Sequence, residues 1–170
     1  MELKEYILSE FANLERTTTR ATDGLTQQEL SWRPASGCNP IGLILFHTAK
    51  FEDMIGSGRI MDRAPLWQTE KWYEKLNLPE NEMGAHYTIE QVNAFPMPES
   101  KRLMEYCLAV RVRTVEYLKN MNAADFDRKV TMPRGGENTI GGVFSFIVAH
   151  TMGHLGEMSY LRGIQRGMDK

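Results

Sequence analysis

Four long segments of the sequence repeat apolar residues at spacings of three and four, and this periodicity constrains the fold most. The first segment covers residues 3–22, with a stripe of Leu3, Ile7, Phe11, Leu14, Thr18 and Ala21. The other three cover about 40–55, 99–121 and 139–165. Residues at these spacings share one face of an α-helix, and no segment shows convincing strand alternation. The sequence therefore predicts an all-α fold, a four-helix bundle.

A long connection separates the second and third predicted helices. Asn39 can cap the second helix, and Pro40 suits its first position, where no amide donor is needed. Gly56 and Gly58 are expected to end this helix. The connection, residues 60–98, holds four prolines and several aromatic residues. We expect it to pack onto the bundle, and its length would let the topology depart from a simple up-down-up-down order.

Length and composition predict one soluble domain over residues 1–170. The chain is 42% hydrophobic and 25% charged, with a net charge of −2. This balance gives no global basic field for nucleic acid or an anionic membrane, so neither is an expected partner. The N-terminus alternates charged and apolar residues and has no signal-peptide core. We therefore expect a cytoplasmic protein.

Three of the four histidines fall on helix stripes that should face inward. His150 and His154 stand four residues apart in "AHTMGHLGEM", in line with Ile147 and Met158. His47 lies in line with the second stripe, which comprises Leu43, Ile44, Phe51 and Met54. A buried imidazole without a partner costs about 1–3 kcal/mol. A shared metal ion would meet this need for all three, whereas the alternatives are histidines hydrogen-bonded in the core or a solvated helix face.

The donor set favours a divalent transition metal in an open site. Neutral imidazoles suit Zn or Ni best here, with Fe, Co, Cu or Mn as further candidates. Three protein ligands leave coordination positions free, as in catalytic zinc sites. The segment "HTMGH" is not the metalloprotease motif HExxH, because Thr151 replaces the glutamate that acts as general base. We therefore do not predict a protease.

Two charged residues are candidate catalytic groups near the histidines. Glu157 lies three residues after His154, so it is a candidate fourth ligand, hydrogen-bond acceptor for an imidazole, or general base. Arg111 falls inside the apolar arc of the third helix, where it can neutralise Glu157 or bind an anionic substrate. The alternatives are an exposed glutamate and an arginine that extends from the edge of the arc to solvent.

Three further polar residues are expected to face solvent. His86 lies in the long connection, outside the helix stripes that carry the other histidines, so it is a less suitable ligand than they are. Glu52 and Asp53 fall outside the stripe that contains His47. Charged residues off the apolar stripe of a helix normally contact water.

The chain resembles the DinB-like family of metal-dependent four-helix-bundle proteins over nearly its whole length. The resemblance includes the entry turn "LSWRP", the helix "NPIGLILFHTAKFED" and the segment "TIGGVFSFIVAHTMGHLGEMSYLRG". It implies a DinB-like bundle, a divalent metal held by His47, His150 and His154 at one end, and a homodimer. Related sequences often have Gln where this chain has Glu157.

The resemblance also indicates a class of reaction. Some members are similar to thiol-dependent transferases and isomerases that use mycothiol, bacillithiol or glutathione. The leading hypothesis is an enzyme whose metal activates a low-molecular-weight thiol for transfer to an electrophilic small molecule. One alternative is a hydrolase that uses a metal-bound water, with Glu157 as base. Another is a non-catalytic metal-binding or stress-response dimer.

Overall fold

The computed structural model describes residues 2–133 and 135–167, and most of these residues are helical. Within these ranges, no helix combines the length and hydropathy that a bilayer crossing requires. The elements in chain order are α1 (Leu3–Thr22), α2 (Gln27–Ser31), α3 (Ile41–Ile55), a π-helical turn (Gly56–Ile60), α4 (Leu66–Thr69), α5 (Trp72–Lys75), α6 (Ile89–Ala94), α7 (Ser100–Lys119), a 3₁₀ turn (Ala123–Asp127), β1 (Lys129–Thr131), β2 (Glu137–Thr139) and α8 (Ile140–Arg166).

The long helices α1, α3, α7 and α8 form the predicted four-helix bundle. Both α7 and α8 pack against α1 and against α3, which places α1 and α3 diagonally across the bundle. Successive helices of a simple up-down-up-down bundle are neighbours, so this arrangement departs from that order, as expected. The core holds most of the predicted stripes, including Ile7, Phe11, Leu14, Leu43, Ile44, Leu103, Val110, Leu118, Val143, Ile147 and Met158.

The ends of the stripes are less buried than predicted, and a π-helical turn follows α3. Leu3 is 49% exposed and Met54 is 37% exposed, so neither belongs to the core. Pro40 lies at the N-cap of α3, one position before the first helical residue. The α-helix ends at Ile55 with Gly56 as its C-cap, as predicted, but the backbone continues as an unpredicted π-helical turn to Ile60. Gly56 has right-handed helical dihedral angles. Glycine adopts these angles as readily as the left-handed ones that often end a helix, so the backbone can stay helical through it.

The connection from residue 60 to 98 packs onto the outer side of α3. Its Trp67 side chain is fully buried against Phe46 and Tyr106, and Trp72 packs on Tyr106 as well. The expectation that its aromatic residues dock on the bundle is therefore confirmed. As a result, α3 is covered on nearly all sides, and even Lys50 is only 4% exposed.

Asp53 and Glu52 are buried, so the prediction that they face solvent is wrong. Each is only 2% exposed: the start of α4 in the long connection covers Asp53, whereas Arg111 of α7 covers Glu52. Asp53 Oδ1 accepts hydrogen bonds from the Leu66 amide at 2.8 Å and the Ser57 hydroxyl at 3.2 Å. Its Oδ2 accepts from the Trp67 amide at 2.8 Å and the Tyr106 hydroxyl at 3.0 Å. This carboxylate therefore joins α3, α4 and α7.

A short β-hairpin that the periodicity did not reveal precedes α8. Strands β1 and β2 pair antiparallel, with Val130 opposite Asn138. Each strand has three residues, too few for alternation to stand out in a sequence. The hairpin leads directly into α8, where the Thr139 hydroxyl accepts from the Gly142 amide and caps the helix.

We predict that Asp53→Asn lowers the free energy of unfolding by about 3 kcal/mol. The substitution turns one carboxylate oxygen into an NH₂ donor that faces groups which are themselves donors. Urea denaturation measures the change, with Asp127→Asn as a control at an exposed aspartate. Equal stability of the two variants would show that the Asp53 carboxylate is not a main structural link.

Candidate metal centre

His47, His150 and His154 come together at the surface of the bundle. The three imidazole centroids form a triangle with sides of 4.9, 4.8 and 4.6 Å. One nitrogen from each ring can be chosen so that all three nitrogens lie within 4.8 Å of one another. Helix α3 supplies the first histidine, whereas the pair comes from adjacent turns of α8, which packs against α3. The predicted three-histidine cluster is therefore present, and it is compatible with metal binding.

A backbone carbonyl fixes the tautomer of His47. Its Nδ1 lies 2.7 Å from the carbonyl oxygen of Gly84. A carbonyl oxygen can only accept, so Nδ1 must be the protonated nitrogen, and the lone pair is left on Nε2. That Nε2 lies 3.1 Å from Nε2 of His150. The tautomer therefore presents a ligand atom to the centre of the cluster.

Glu157 has the same effect on His154. Its Oε2 lies 3.0 Å from Nδ1 of His154, one helical turn earlier in α8. The carboxylate accepts from Nδ1–H and leaves Nε2 of this imidazole free to bind an ion. Carboxylates and carbonyls in such contacts orient metal-binding histidines and raise their basicity. Of the candidate roles for Glu157, the geometry favours the hydrogen-bond acceptor.

A stacked phenyl ring orients the third imidazole. Phe51 lies nearly parallel to His150, with 3.9 Å between ring centroids and an angle of 20°. Phe146 meets Phe51 edge to face at 5.3 Å. Among the described residues, the buried Nδ1 of His150 has no hydrogen-bond partner. Aromatic packing therefore orients the His150 ring, whereas hydrogen bonds at Nδ1 orient the rings of His47 and His154.

The electrostatics favour neutral imidazoles at His47 and His150, the form that binds metals. Burial lowers the pKa of His47 below its usual range. Burial, and then the neighbouring His154 and His47, lower the pKa of His150 to about 4.

Nitrogens that share one Zn²⁺ lie about 2.0–2.1 Å from it, so they are at most about 4.2 Å apart. The 3.1 Å between Nε2 of His47 and Nε2 of His150 satisfies this limit.

A family comparison identifies the superfamily of this chain. The sequence model of the DinB superfamily matches residues 10–158. The chain belongs to the DinB superfamily. A crystal structure of a conserved protein from Enterococcus faecalis superposes with a TM-score of 0.83, over 96% of this chain and 97% of that chain. The two sequences are 20% identical, so the likeness shows the fold alone. No curated protein matches the sequence.

Arg111 of this DinB superfamily protein binds a carboxylate other than Glu157. Its guanidinium donates to Glu52 at 2.6 and 3.1 Å, and to the Phe11 carbonyl oxygen at 3.2 Å. The ion pair is buried, with 14% of the Arg111 side chain and 3% of the Glu52 side chain exposed. The expectation that Arg111 neutralises Glu157 is therefore wrong, because Arg111 forms its ion pair with the buried Glu52 instead. A catalytic role for Arg111 stays a prediction.

Sequence reasoning missed the contribution of the long connection to the candidate metal centre. Gly84 acts through its backbone carbonyl, which every residue type has, so a single sequence carries no signal for it. His86, two residues later, is exposed, as predicted. Phe51 was assigned to the stripe of His47, but that pattern did not reveal its stacking on His150.

We predict that Glu52→Leu alone lowers the free energy of unfolding by about 3–5 kcal/mol, because it leaves the Arg111 cation buried and unpaired. Adding Arg111→Met should restore most of this loss, since the double variant buries no charge at this position. Urea denaturation of both variants and of wild type measures the coupling. Losses that simply add in the double variant would contradict a structural ion pair.

Proposed function

We propose that this protein binds one divalent transition-metal ion through His47, His150 and His154 and transfers a low-molecular-weight thiol to an electrophilic small molecule. The observation that supports it most is the convergence of three imidazoles with separately held rings. Zn or Ni suits this all-nitrogen donor set best. A metal ion bound there would supply acidity, since a coordinated thiol loses its proton and becomes a strong nucleophile.

The protein's own residues supply the orientation that such a reaction needs. Gly84 and Glu157 hold His47 and His154 in the tautomer that keeps each Nε2 available. All three histidines are partly accessible, so a thiol and its reaction partner can approach the cluster. Three protein ligands leave positions open for them.

An apolar wall beside the histidines supports a small organic substrate. Phe146 is 44% exposed although it is large and apolar, and it packs against Phe51 next to His150. An apolar substrate portion can contact this wall while its electrophilic carbon faces the histidines. In the transfer, the thiolate sulfur bonds to that carbon, and the leaving group departs with the electron pair of the broken bond.

We predict that the purified protein binds one Zn²⁺ or Ni²⁺ per chain. Alanine at His47, His150 or His154 should weaken binding by more than the roughly 10–100-fold loss typical of an outer-shell partner. Element analysis and isothermal titration calorimetry measure this, and Gln68→Ala, at an exposed position on α4, is the control. Equal metal content in all four variants would contradict the assignment of the three histidines as metal ligands.

We predict that conversion of a chromogenic aryl halide needs both the metal and an added thiol. Mycothiol, bacillithiol and glutathione are tested separately, with the metal-loaded protein and with the metal-free protein. Product formation is followed by absorbance, and mass spectrometry identifies the thioether. Turnover without any thiol would favour hydrolysis instead, and binding of metal without turnover of any electrophile would favour a non-catalytic role.

A further inference from the structure

One carboxylate in the long connection organises the loop that contacts His47. Glu82 Oε1 accepts a hydrogen bond from the Gly84 amide at 3.1 Å and another from the Tyr87 hydroxyl at 2.7 Å. Burial and the adjacent carboxylate raise the pKa of Tyr87, so its hydroxyl keeps the proton that it donates. Residues 82–87 therefore close a short loop around a single oxygen atom.

Gly84 is the residue at which this loop meets α3, and only glycine fits there. Its φ is +72°, a left-handed conformation that disfavours other residues. A Cβ atom built on Gly84 would lie 2.9 Å from Cγ of Lys50 and 3.1 Å from its Cβ. The glycine thus allows a close approach that brings its carbonyl oxygen to Nδ1 of His47. Its conformational freedom also means that another group must hold it in place.

We propose that Glu82 is a positioning residue for the metal centre, a role that rests on the proposed metal binding. By fixing the amide of Gly84, Glu82 holds the carbonyl of the same residue in line with Nδ1 of His47. The link from Glu82 through Gly84 keeps the proton of His47 on Nδ1 and the lone pair on Nε2. Glu82 itself binds neither metal nor substrate.

Loss of this link has a specific consequence for His47. When the carbonyl of Gly84 is no longer aimed at Nδ1, the imidazole can place its proton on Nε2 instead. A protonated Nε2 cannot bind an ion, so metal binding must then include a change of tautomer. A purely structural role for Glu82 would lower stability but leave the tautomer unchanged.

The test compares Glu82→Ala and Glu82→Gln with Glu80→Ala, a control at an exposed glutamate in the same segment. Long-range ¹H–¹⁵N NMR correlation of the metal-free proteins reports the tautomer of His47. Competition with a chelator reports Zn²⁺ affinity. We expect Glu82→Ala to protonate Nε2 in part and weaken Zn²⁺ binding about tenfold. Glu82→Gln should retain both properties, because its amide oxygen can accept the same two hydrogen bonds.

The proposal is overturned if Glu82→Ala matches Glu80→Ala in both tautomer and affinity. Should Glu82→Ala fail to fold, Tyr87→Phe replaces it, since it removes only the hydroxyl donor to Glu82. We then expect Zn²⁺ affinity to fall about two- to tenfold with a partial tautomer change, and an unchanged tautomer overturns the proposal. Because the tautomer is measured without metal, failure of wild type to bind Zn²⁺ would overturn the proposed function, whereas an unchanged tautomer would overturn the link from Glu82 to His47.

Discussion

The buried carboxylate of Asp53 joins the long connection to the bundle, and the candidate metal centre depends on that join. Asp53 accepts hydrogen bonds from the backbone amides of Leu66 and Trp67 at the start of α4. These bonds anchor the long connection on the outer side of α3. The same connection then brings Gly84 to His47. A buried charge is tolerated only when its hydrogen bonds are complete, and here two amides and two hydroxyls complete them.

The three imidazoles are held by three different kinds of contact. A backbone carbonyl holds His47, a carboxylate holds His154, and the ring of Phe51 holds His150. Two contacts select a tautomer, and the third restricts the orientation of a ring. Side chains that are already held in place lose less conformational freedom when an ion binds. These three contacts can therefore keep the imidazoles in a metal-binding geometry even at the surface of the bundle.

Periodicity and spacing predicted the parts of this protein that depend on helix geometry. The spacing of the long helices placed His47 on α3 and His150 with His154 on α8, and the structure brings all three together. Glu52 and Asp53 were misassigned because a stripe describes one helix against one core, whereas α3 is covered on both sides. The role of Gly84 was beyond prediction, because a carbonyl contact across 37 residues leaves no trace in composition or spacing.

A crystal structure of the Zn²⁺-loaded protein, with anomalous scattering recorded at the zinc edge, tests the central claim most directly. One anomalous peak is predicted about 2.0–2.1 Å from Nε2 of His47, His150 and His154. Nδ1 of His47 should still contact the Gly84 carbonyl oxygen, and Nδ1 of His154 should still contact Glu157. A peak bound through Nδ1 atoms, or no peak among the three rings, would contradict the assignment.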